Sequence, residues 1–361
     1  MPKEIQKDII LKGDCLEILK SLPDNSVDLV FADPPYNMQT EGELLRTDGS
    51  SFNGVTDKWD KFEDLHAYDD FSKQWLRECK RVLKKDGAIW VIGSFQNIFR
   101  LGYIMQDLGF WILNDVIWSK PNAVPNFGGT RFQNSHETLI WCSKSKNAKY
   151  HFNYKTMKHI NGDKQMKSVW DIGICIGNER LKDSDGKKIH STQKPEQLLY
   201  NVILSSTEKG DLVLDPFFGT GTTGVIAKRL GRHYIGIERE DAYIEAATKR
   251  LNSVQLDLDT DLIDNTYEAK PPRYSIKKLI DLGFLAVGQL LYSKDKKYSA
   301  EICPNGNVKV GDLEASIHKV SAKFLNRSNN NGWDYFWCEY NGSFTDINSL
   351  RYLADKKGGL K

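Results

Sequence analysis

The tetrapeptide Asp33-Pro34-Pro35-Tyr36 places an acid, two prolines and an aromatic ring directly after the apolar run 27–31. The Asp33 carboxylate and the Pro34 carbonyl can both accept hydrogen bonds from one exocyclic amino group. The prolines hold these acceptors rigid, because their φ is fixed and they carry no competing N–H. The Tyr36 ring offers a face on which a flat heterocycle can stack. The tetrapeptide predicts a receptor for an amino group on a nucleobase, although the same residue types also form turns that end strands.

A second motif, residues 212–223, has the pattern of a buried strand, a glycine-rich turn and the start of a helix. Gly219 and Gly221 let the backbone approach a ligand closely, and the helix N-terminus behind them favours negative charge. The next strand ends in Glu238, where an acid commonly binds the two hydroxyls of a ribose. The sequence Gly-Lys-Ser/Thr is absent, which disfavours nucleoside triphosphate chemistry. We interpret the motif as a site for S-adenosylmethionine.

The two motifs together resemble those of the amino-methylating DNA methyltransferases, in the permuted order of the β group. Further segments resemble the HinfI-type and cell-cycle-regulated enzymes that methylate adenine in GANTC; they are Gly13-Asp14-Cys15-Leu16 and residues 126–132, 136–139, 190–195 and 328–334. The resemblance covers nearly the whole chain. It implies an adenine-N6 DNA methyltransferase that uses S-adenosylmethionine and flips its target base out of the duplex.

Three sets of candidate residues follow from the motifs and the resemblance. The catalytic set is Asp33, Pro34, Pro35 and Tyr36. The cofactor-binding set is Asp14, Cys15, Asp33, Lys194, Asp215, Phe217, Phe218, Gly219, Thr220, Gly221, Thr222 and Glu238. The DNA-binding set is Asn126, Phe127, Arg131, His136, Asn330 and Trp333. The resemblance implies that Asp14 lies near the adenine of the cofactor and Lys194 near its carboxylate.

Four of these residues also fit a purely structural role. Asp14 follows a glycine and precedes a helical pattern, as the N-cap of a helix does, and it can serve both purposes. Lys194 fits an exposed surface lysine. His136 fits a packed or capping histidine, and Trp333 fits an aromatic core residue.

The chain carries a net charge of only +2, but two segments are locally basic. Residues 118–200 hold 14 lysines and arginines against 7 acids, and residues 270–361 hold 15 against 9. Basic segments set against an acidic body are typical of a protein that binds a phosphate backbone locally. A solvated lysine-rich surface is the alternative interpretation.

Strand-like apolar runs alternate with helical patterns, which predicts an α/β fold with a mostly parallel, Rossmann-like sheet in permuted order. We expect a catalytic domain at residues 1–255, with an inserted target-recognition region at 120–190. A linker at 256–272 would lead to a small C-terminal α+β DNA-binding module at 273–361. Residues 37–65 show little periodicity, which indicates a long loop beside the catalytic motif, either a lid or a DNA contact.

The six cysteines are scattered without a Cys-x-x-Cys pair, which argues against a zinc site or a disulfide framework and favours a reducing cytosol. No 20-residue apolar span and no signal-peptide pattern occur, so we expect a cytoplasmic, nucleoid-associated protein without membrane contact. The expected partner is double-stranded DNA. The resemblance also allows a cognate restriction endonuclease and a homodimer.

Alternative functions remain open from the sequence alone. An N4-cytosine or an RNA amino-methyltransferase would use the same chemistry, although an acid at position 33 favours adenine in this family. A C5-cytosine enzyme is disfavoured, because no Pro-Cys dipeptide supplies its nucleophile. A DNA-binding regulator with a vestigial methyltransferase fold would be expected to have lost Asp33, Tyr36 or Gly219, and all three are present.

Overall fold

The computed structural model of the chain falls into two compact units, Met1–Tyr267 and Glu268–Lys361. The structure describes residues 5–36, 44–45, 51–52, 61–126, 128–183, 186–190, 192–255 and 273–358. Phe127, the linker at 256–272 and most of the loop at 37–65 lie outside the described residues.

The first unit is built on a mixed eight-stranded sheet with the order β1-β10-β9-β2-β5-β7-β6-β8. Its strands are β1 (Ile9–Lys12), β2 (Val27–Ala32), β5 (Leu83–Gly93), β6 (Trp111–Ser119), β7 (His136–Ser143), β8 (Val169–Asp171), β9 (Leu212–Asp215) and β10 (His233–Glu238). Strand β7 runs antiparallel to both neighbours, and every other pair is parallel. A separate two-stranded ladder joins β3 (Leu44–Leu45) to β4 (Ser51–Phe52).

Seven helices of the first unit are described; they are α1 (Cys15–Ser21), α2 (Leu65–Val82), α3 (Ile98–Asp107), α4 (Tyr154–Ile160), α5 (Glu196–Ser206), α6 (Thr222–Arg229) and α7 (Asp241–Ser253). Strand β9 is buried along its whole length, as expected for a parallel strand covered on both faces. In α2 the buried residues Trp75, Leu76, Cys79 and Val82 follow helical spacing and pack into the core. The predicted α/β class is confirmed.

The region 120–190 needs a correction, because the sheet continues through it. Strand β7 lies between β5 and β6, and β8 closes the edge of the sheet. The run 138–143 is apolar enough to be buried between two strands, so it belongs to the core and not to an insertion. The segment that leaves the sheet between β6 and β7 is residues 120–135.

The strand directions decide which residues meet. Parallel strands end at a common edge of the sheet, so the residues that follow β1, β2, β9 and β10 lie together. Strand β6 is parallel to β5 in direction and also ends at this edge, whereas the antiparallel β7 begins there. Asp33, the glycine-rich turn and Glu238 are therefore brought to one place from distant parts of the chain.

The second unit is a small α+β module with an antiparallel six-stranded sheet of order β14-β13-β12-β11-β15-β16. Its strands are β11 (Leu290–Ser293), β12 (Ser299–Ile302), β13 (Val308–Val310), β14 (Leu313–Ala315), β15 (Phe336–Tyr340) and β16 (Ser343–Asp346). Its helices are α8 (Ile276–Asp281), α9 (Ile317–Phe324), α10 (Gly332–Tyr335) and α11 (Ile347–Gly358). Leu279, Leu291 and Phe336 are fully buried in its own hydrophobic core. Among the described residues of both units, no helix is long and apolar enough to cross a bilayer.

Candidate active site

A cavity of about 340 Å³ opens at the carboxyl edge of the first sheet. Nine predicted site residues line it, namely Asp14, Cys15, Asp33, Pro34, Pro35, Tyr36, Phe217, Gly219 and Glu238. The tetrapeptide after β2 thus faces the same space as the glycine-rich turn after β9 and the acid that ends β10. This volume lies in the range of small-molecule ligand sites.

The glycine-rich turn is held by the side chain of Asp215. Its carboxylate accepts hydrogen bonds from the Phe217 N–H at 2.9 Å and from the Thr223 hydroxyl at 2.6 Å. Gly219 (φ +52°) and Gly221 (φ +78°) adopt left-handed backbone conformations that glycine takes without strain. Asp215 therefore shapes the turn from behind, and burial raises its pKa to about 7.

Glu238 is placed by three backbone donors. Its carboxylate accepts from the N–H groups of Gly219 at 2.8 Å, Arg239 at 2.8 Å and Glu240 at 2.9 Å. Burial raises the pKa of Glu238, and these backbone hydrogen bonds oppose that rise. A carboxylate offers about four acceptor positions, so capacity remains for a ligand hydroxyl. This geometry supports the predicted role of Glu238 toward a ribose.

Asp14 and Cys15, which follow β1 beside the end of β10, also line the cavity. Asp14 is the N-cap of α1, and its side chain accepts from the Leu16 N–H at 2.9 Å. The structural alternative for Asp14 is therefore correct, and the residue also lines the cavity. Burial raises the pKa of the Cys15 thiol to about 12, so the side chain is a neutral packing group at this site.

The catalytic tetrapeptide is embedded in a cluster of buried charges. The Lys194 ammonium donates to Asp33 Oδ2 at 2.7 Å and lies 5.0 Å from the centroid of the Tyr36 ring. The Tyr36 hydroxyl donates to Glu137 Oε2 at 3.0 Å. Burial raises the pKa of Asp33, and the Lys194 charge counteracts that rise. Asp33 is thus an acceptor whose charge depends on a neighbouring lysine.

The proline segment of the motif is anchored from α2 and from the turn after β5. The Tyr68 hydroxyl donates to the Pro35 carbonyl at 3.0 Å, and the Asn97 amide donates to the same hydroxyl at 3.0 Å. All three groups are buried or nearly so, which makes these hydrogen bonds costly to break. The carbonyl of Pro35 is therefore held in place from α2.

The remaining predicted cofactor residues lie beside the main cavity. Lys194, Asp215, Phe218, Thr220 and Thr222 line a small adjoining space of about 30 Å³. Gly221 is the N-cap of α6. Lys194 is 7% exposed, so its interpretation as a surface lysine is wrong. Its contact with the cofactor carboxylate stays a prediction, because the contact that the structure shows is with Asp33.

The DNA-binding candidates of the first unit belong to the segment between β6 and β7. The Asn126 side-chain amide donates to the Arg131 carbonyl at 2.8 Å, which closes this loop. The Arg131 guanidinium lies 5.6 Å from the centroid of the Phe95 ring, and both residues are exposed. His136 is the exposed first residue of β7, so its interpretation as a packed residue is wrong. A DNA-binding role for these residues stays a prediction.

The other two candidates belong to the second unit. Asn330 is half-buried, and its carbonyl lies 3.3 Å from His318 Nδ1. Trp333 packs against the core of this unit, and the Arg351 guanidinium lies 4.3 Å from the centroid of its ring. The structural interpretation of Trp333 is therefore correct as far as packing is concerned. A DNA contact by either residue stays a prediction.

Several residues that line the main cavity were missed in the sequence. They are Lys61, Phe62, Phe71, His190, Thr192, Arg239, Glu240 and Tyr243. The His190 and Tyr243 ring centroids are 4.7 Å apart, and burial followed by the Lys194 charge lowers the pKa of His190 to about 4. His190 is therefore neutral at physiological pH. Its position four residues before Lys194, in a segment that matched the family, was the signal that could have identified it.

Comparisons with known proteins identify the family of this chain. Residues 27–249, more than half of the chain, match the family described as DNA methylase. The chain is 61% identical over 344 residues to the type II methyltransferase M.HinfI of Haemophilus influenzae, and the alignment covers 95% of each protein. This chain belongs to the DNA methylase family. This DNA methylase is also 41% identical over 248 residues to the type II methyltransferase M2.DpnII of Streptococcus pneumoniae, which is 68% of this chain and 90% of the relative.

Solved structures of related proteins share the fold. The M1.HpyAVI–SAM complex aligns with a TM-score of 0.50 and 27% identity, over 67% of this chain and 98% of that one. The PvuII DNA methyltransferase, described as cytosine-N4-specific, aligns with a TM-score of 0.54 and 23% identity, over 73% of this chain and 92% of that one. The second likeness concerns the fold alone.

Asp215→Asn should change how the stability of this DNA methylase depends on pH. The pKa of Asp215 is higher in the folded protein than in the unfolded chain. The stability that protonated Asp215 contributes is therefore lost as pH rises from the unfolded-state pKa to about 7, where the buried group ionises. Asparagine keeps an acceptor for the Phe217 N–H but never ionises. The free energy of unfolding of the variant, relative to wild type, should rise by roughly 2 kcal/mol between about pH 5.5 and pH 8. Urea titrations at the two pH values measure it, and parallel pH dependences would contradict the assignment.

Proposed function

We propose that this protein transfers a methyl group from S-adenosylmethionine to the N6 amino group of adenine in the duplex sequence GANTC. The observation that carries the proposal is the shared cavity. An acceptor suited to an amino group, Asp33, faces the same space as Glu238 and the turn at Gly219. The reacting amine and the cofactor can therefore meet in one site, with no covalent intermediate on the protein.

The residues around the cavity fit S-adenosylmethionine. Glu238 supplies acceptors for ribose hydroxyls, and Asp14 with the neutral Cys15 borders the wall expected to hold the adenine. When bound, the cofactor supplies an electrophilic methyl group and a thioether leaving group. A sulfonium cation is favoured beside Asp33 and Glu238, and the neutral state of His190 avoids repulsion there. Support also comes from the related M1.HpyAVI, whose structure is described as a complex with SAM.

Asp33 and the Pro34 carbonyl would act on the amino group by orientation. The lone pair of an exocyclic amine is delocalised into the ring, so the amine is a poor nucleophile until it becomes more tetrahedral. Two fixed acceptors on its N–H groups favour that geometry and align the lone pair with the methyl group. Because Tyr68 and Asn97 anchor the adjacent Pro35, this alignment costs little reorganisation. A proton leaves the nitrogen after the transfer.

Duplex DNA is the proposed substrate, and the target adenine must be flipped to reach a site at the edge of the sheet. Supporting features are the family described as DNA methylase and the exposed Arg131 in the loop between β6 and β7. Lys120 and Glu137, at the two ends of this loop, pair with each other at 3.0 Å and Glu137 contacts Tyr36, so the loop starts and ends at the active site. Arg131 is suited to a guanine edge or a phosphate.

The proposal includes the biological setting that the resemblance implies. A protein that methylates DNA acts where the DNA is, which places it at the nucleoid in the cytoplasm. The recognition sequence GANTC has the same form on both strands, which suits a homodimer with one site for each strand. A cognate restriction endonuclease is the further functional partner that the family resemblance allows. The C-terminal unit is proposed to bind DNA through its excess of basic residues.

The identity of the product tests the proposal directly. Short duplexes with and without GANTC are incubated with methyl-labelled S-adenosylmethionine and then digested to nucleosides. We expect labelled N6-methyladenine from GANTC duplexes and from no others. N4-methylcytosine, the product that the name of the structurally similar PvuII enzyme implies, would overturn the choice of base. N6-methyladenine in other duplexes would overturn only the recognition sequence.

Asp33→Ala should abolish methylation and leave cofactor binding nearly intact. Removing a preorganised acceptor at the reacting atom is expected to lower the transfer rate by about 100-fold or more. The cofactor keeps Glu238 and the turn at Gly219. Single-turnover rates and calorimetric titration with S-adenosylmethionine measure the two effects.

Asp24→Ala is the matched control, because Asp24 pairs with Arg81 on the surface away from the cavity. It should leave both quantities unchanged. A loss of cofactor affinity in Asp33→Ala comparable to the loss of rate would show that Asp33 belongs to the cofactor site and not to the amine.

A further inference from the structure

Glu137 lies in the segment 136–139 that resembles the family, but the sequence assigned it no role, and it contacts both Tyr36 and Lys120. Its Oε2 accepts from the Tyr36 hydroxyl at 3.0 Å, and its Oε1 accepts from the Lys120 ammonium at 3.0 Å. The side chains of Glu137 and Lys120 are only 14% and 9% exposed. Neither lines the main cavity. Glu137 therefore serves the tetrapeptide and not the cofactor.

Lys194 lies between two carboxylates. Its ammonium is 2.7 Å from Asp33 Oδ2 and 4.0 Å from Glu137 Oε2. With Lys120, the cluster holds two acids and two lysines, so its formal charges cancel. An adenine amino group that binds Asp33 shares the carboxylate with this ammonium and competes with it directly for Oδ2. A charged donor is the stronger one, so the competition opposes productive binding.

We propose that Glu137 is a positioning residue of the methyl-transfer site, which takes the Lys194 ammonium from Asp33 as the amino group of the flipped adenine binds there. This inference rests on the proposed function. A lysine ammonium has three donors on a flexible stem, so it can turn from one carboxylate to the other while staying buried. Lys120 holds Glu137 in place as the receiving group.

The same contacts suit a simpler role, in which Glu137 only neutralises two buried lysines. The two roles differ in what the loss of Glu137 changes. An acid that only neutralises the lysines acts on folding stability, so its loss lowers the melting temperature and not the transfer rate of the folded protein. A receiving group for Lys194 loses its importance once the lysine is gone. A double-mutant cycle measures this dependence.

Glu137→Gln is the informative change, because glutamine has the same size and still accepts from the Tyr36 hydroxyl. With the charge removed, Lys194 stays on Asp33 and opposes the amino group. At saturating cofactor and GANTC duplex, the single-turnover rate should fall about 10- to 100-fold. The dissociation constant of S-adenosylmethionine should stay unchanged. In the Lys194→Met background, the same change should cost about twofold or less.

Glu78→Gln is the matched control. Glu78 forms an ion pair with Arg81 at 2.8 Å, its side chain is 19% exposed, and it lies away from the catalytic cluster on α2. It should leave the rate at the wild-type value. Thermal melting and cofactor binding verify that Glu137→Gln is folded. If Glu137→Gln does not fold, the double variant Lys120→Met/Glu137→Gln replaces it in the cycle. This variant removes both charges of the pair.

The outcomes separate this inference from the proposed function. The inference would be overturned if Glu137→Gln lowered the single-turnover rate by the same factor with and without Lys194. It would also be overturned if the rate of Glu137→Gln equalled that of Glu78→Gln. In both cases an active wild-type protein would still uphold the proposed function. A wild-type protein that methylates no duplex would overturn both. A loss confined to the background that retains Lys194, with cofactor affinity unchanged, is the result that the proposal requires.

Discussion

The ion pair between Asp33 and Lys194 is the interaction on which the rest of the site depends. A carboxylate that is 18% exposed is costly to keep charged, and removal of one partner of such a pair is typically more damaging than replacement of both. Lys194 supplies the compensation from 161 residues away, and its own charge is balanced again by Glu137. Glu137 in turn pairs with Lys120. Each group is thus kept charged by the next, and Asp33, the proposed acceptor for the substrate amine, stands at the end of this series.

The sheet makes this arrangement possible by collecting chain segments at one edge. Strands β2, β9 and β10 are parallel and end there, and the antiparallel β7 begins there with His136 and Glu137. Asp33 and Glu238, the proposed partners of the amine and of the ribose, therefore line one cavity, although 205 positions separate them in the sequence. Tyr68 and Asn97 anchor the Pro35 carbonyl beside Asp33, and three backbone N–H groups hold the carboxylate of Glu238.

Local patterns in the sequence were sufficient for the strands, the glycine turn and the tetrapeptide, because apolar runs and turn residues act over a few positions. Strand β7 was missed since its apolar run stands in a basic segment, where charge drew the interpretation toward an insertion. Gly219, Gly221 and Gly224 have a spacing that also occurs in dinucleotide sites. A Cβ at Gly224 would lie 2.6 Å from the Phe218 ring, so Gly224 is required for packing against that ring. The contacts of Glu137 and Lys194 join residues that only the folded sheet brings together. No local pattern in the sequence predicts these contacts.

The central claim is that the positive charge of Lys194, which stays in the cluster whether the ammonium lies on Asp33 or on Glu137, keeps buried Asp33 ionised so that it can accept the substrate amine. Besides Lys194, the groups that face Asp33 are Glu137, Tyr36 and, from β9, Asp215. The direct test is the pH dependence of single-turnover methyl transfer in wild type and in Lys194→Met. Loss of the ammonium removes the charge that lowers the pKa of Asp33, so the acid limb of the profile should move to higher pH. An acid limb at the same pH in both proteins would contradict the account.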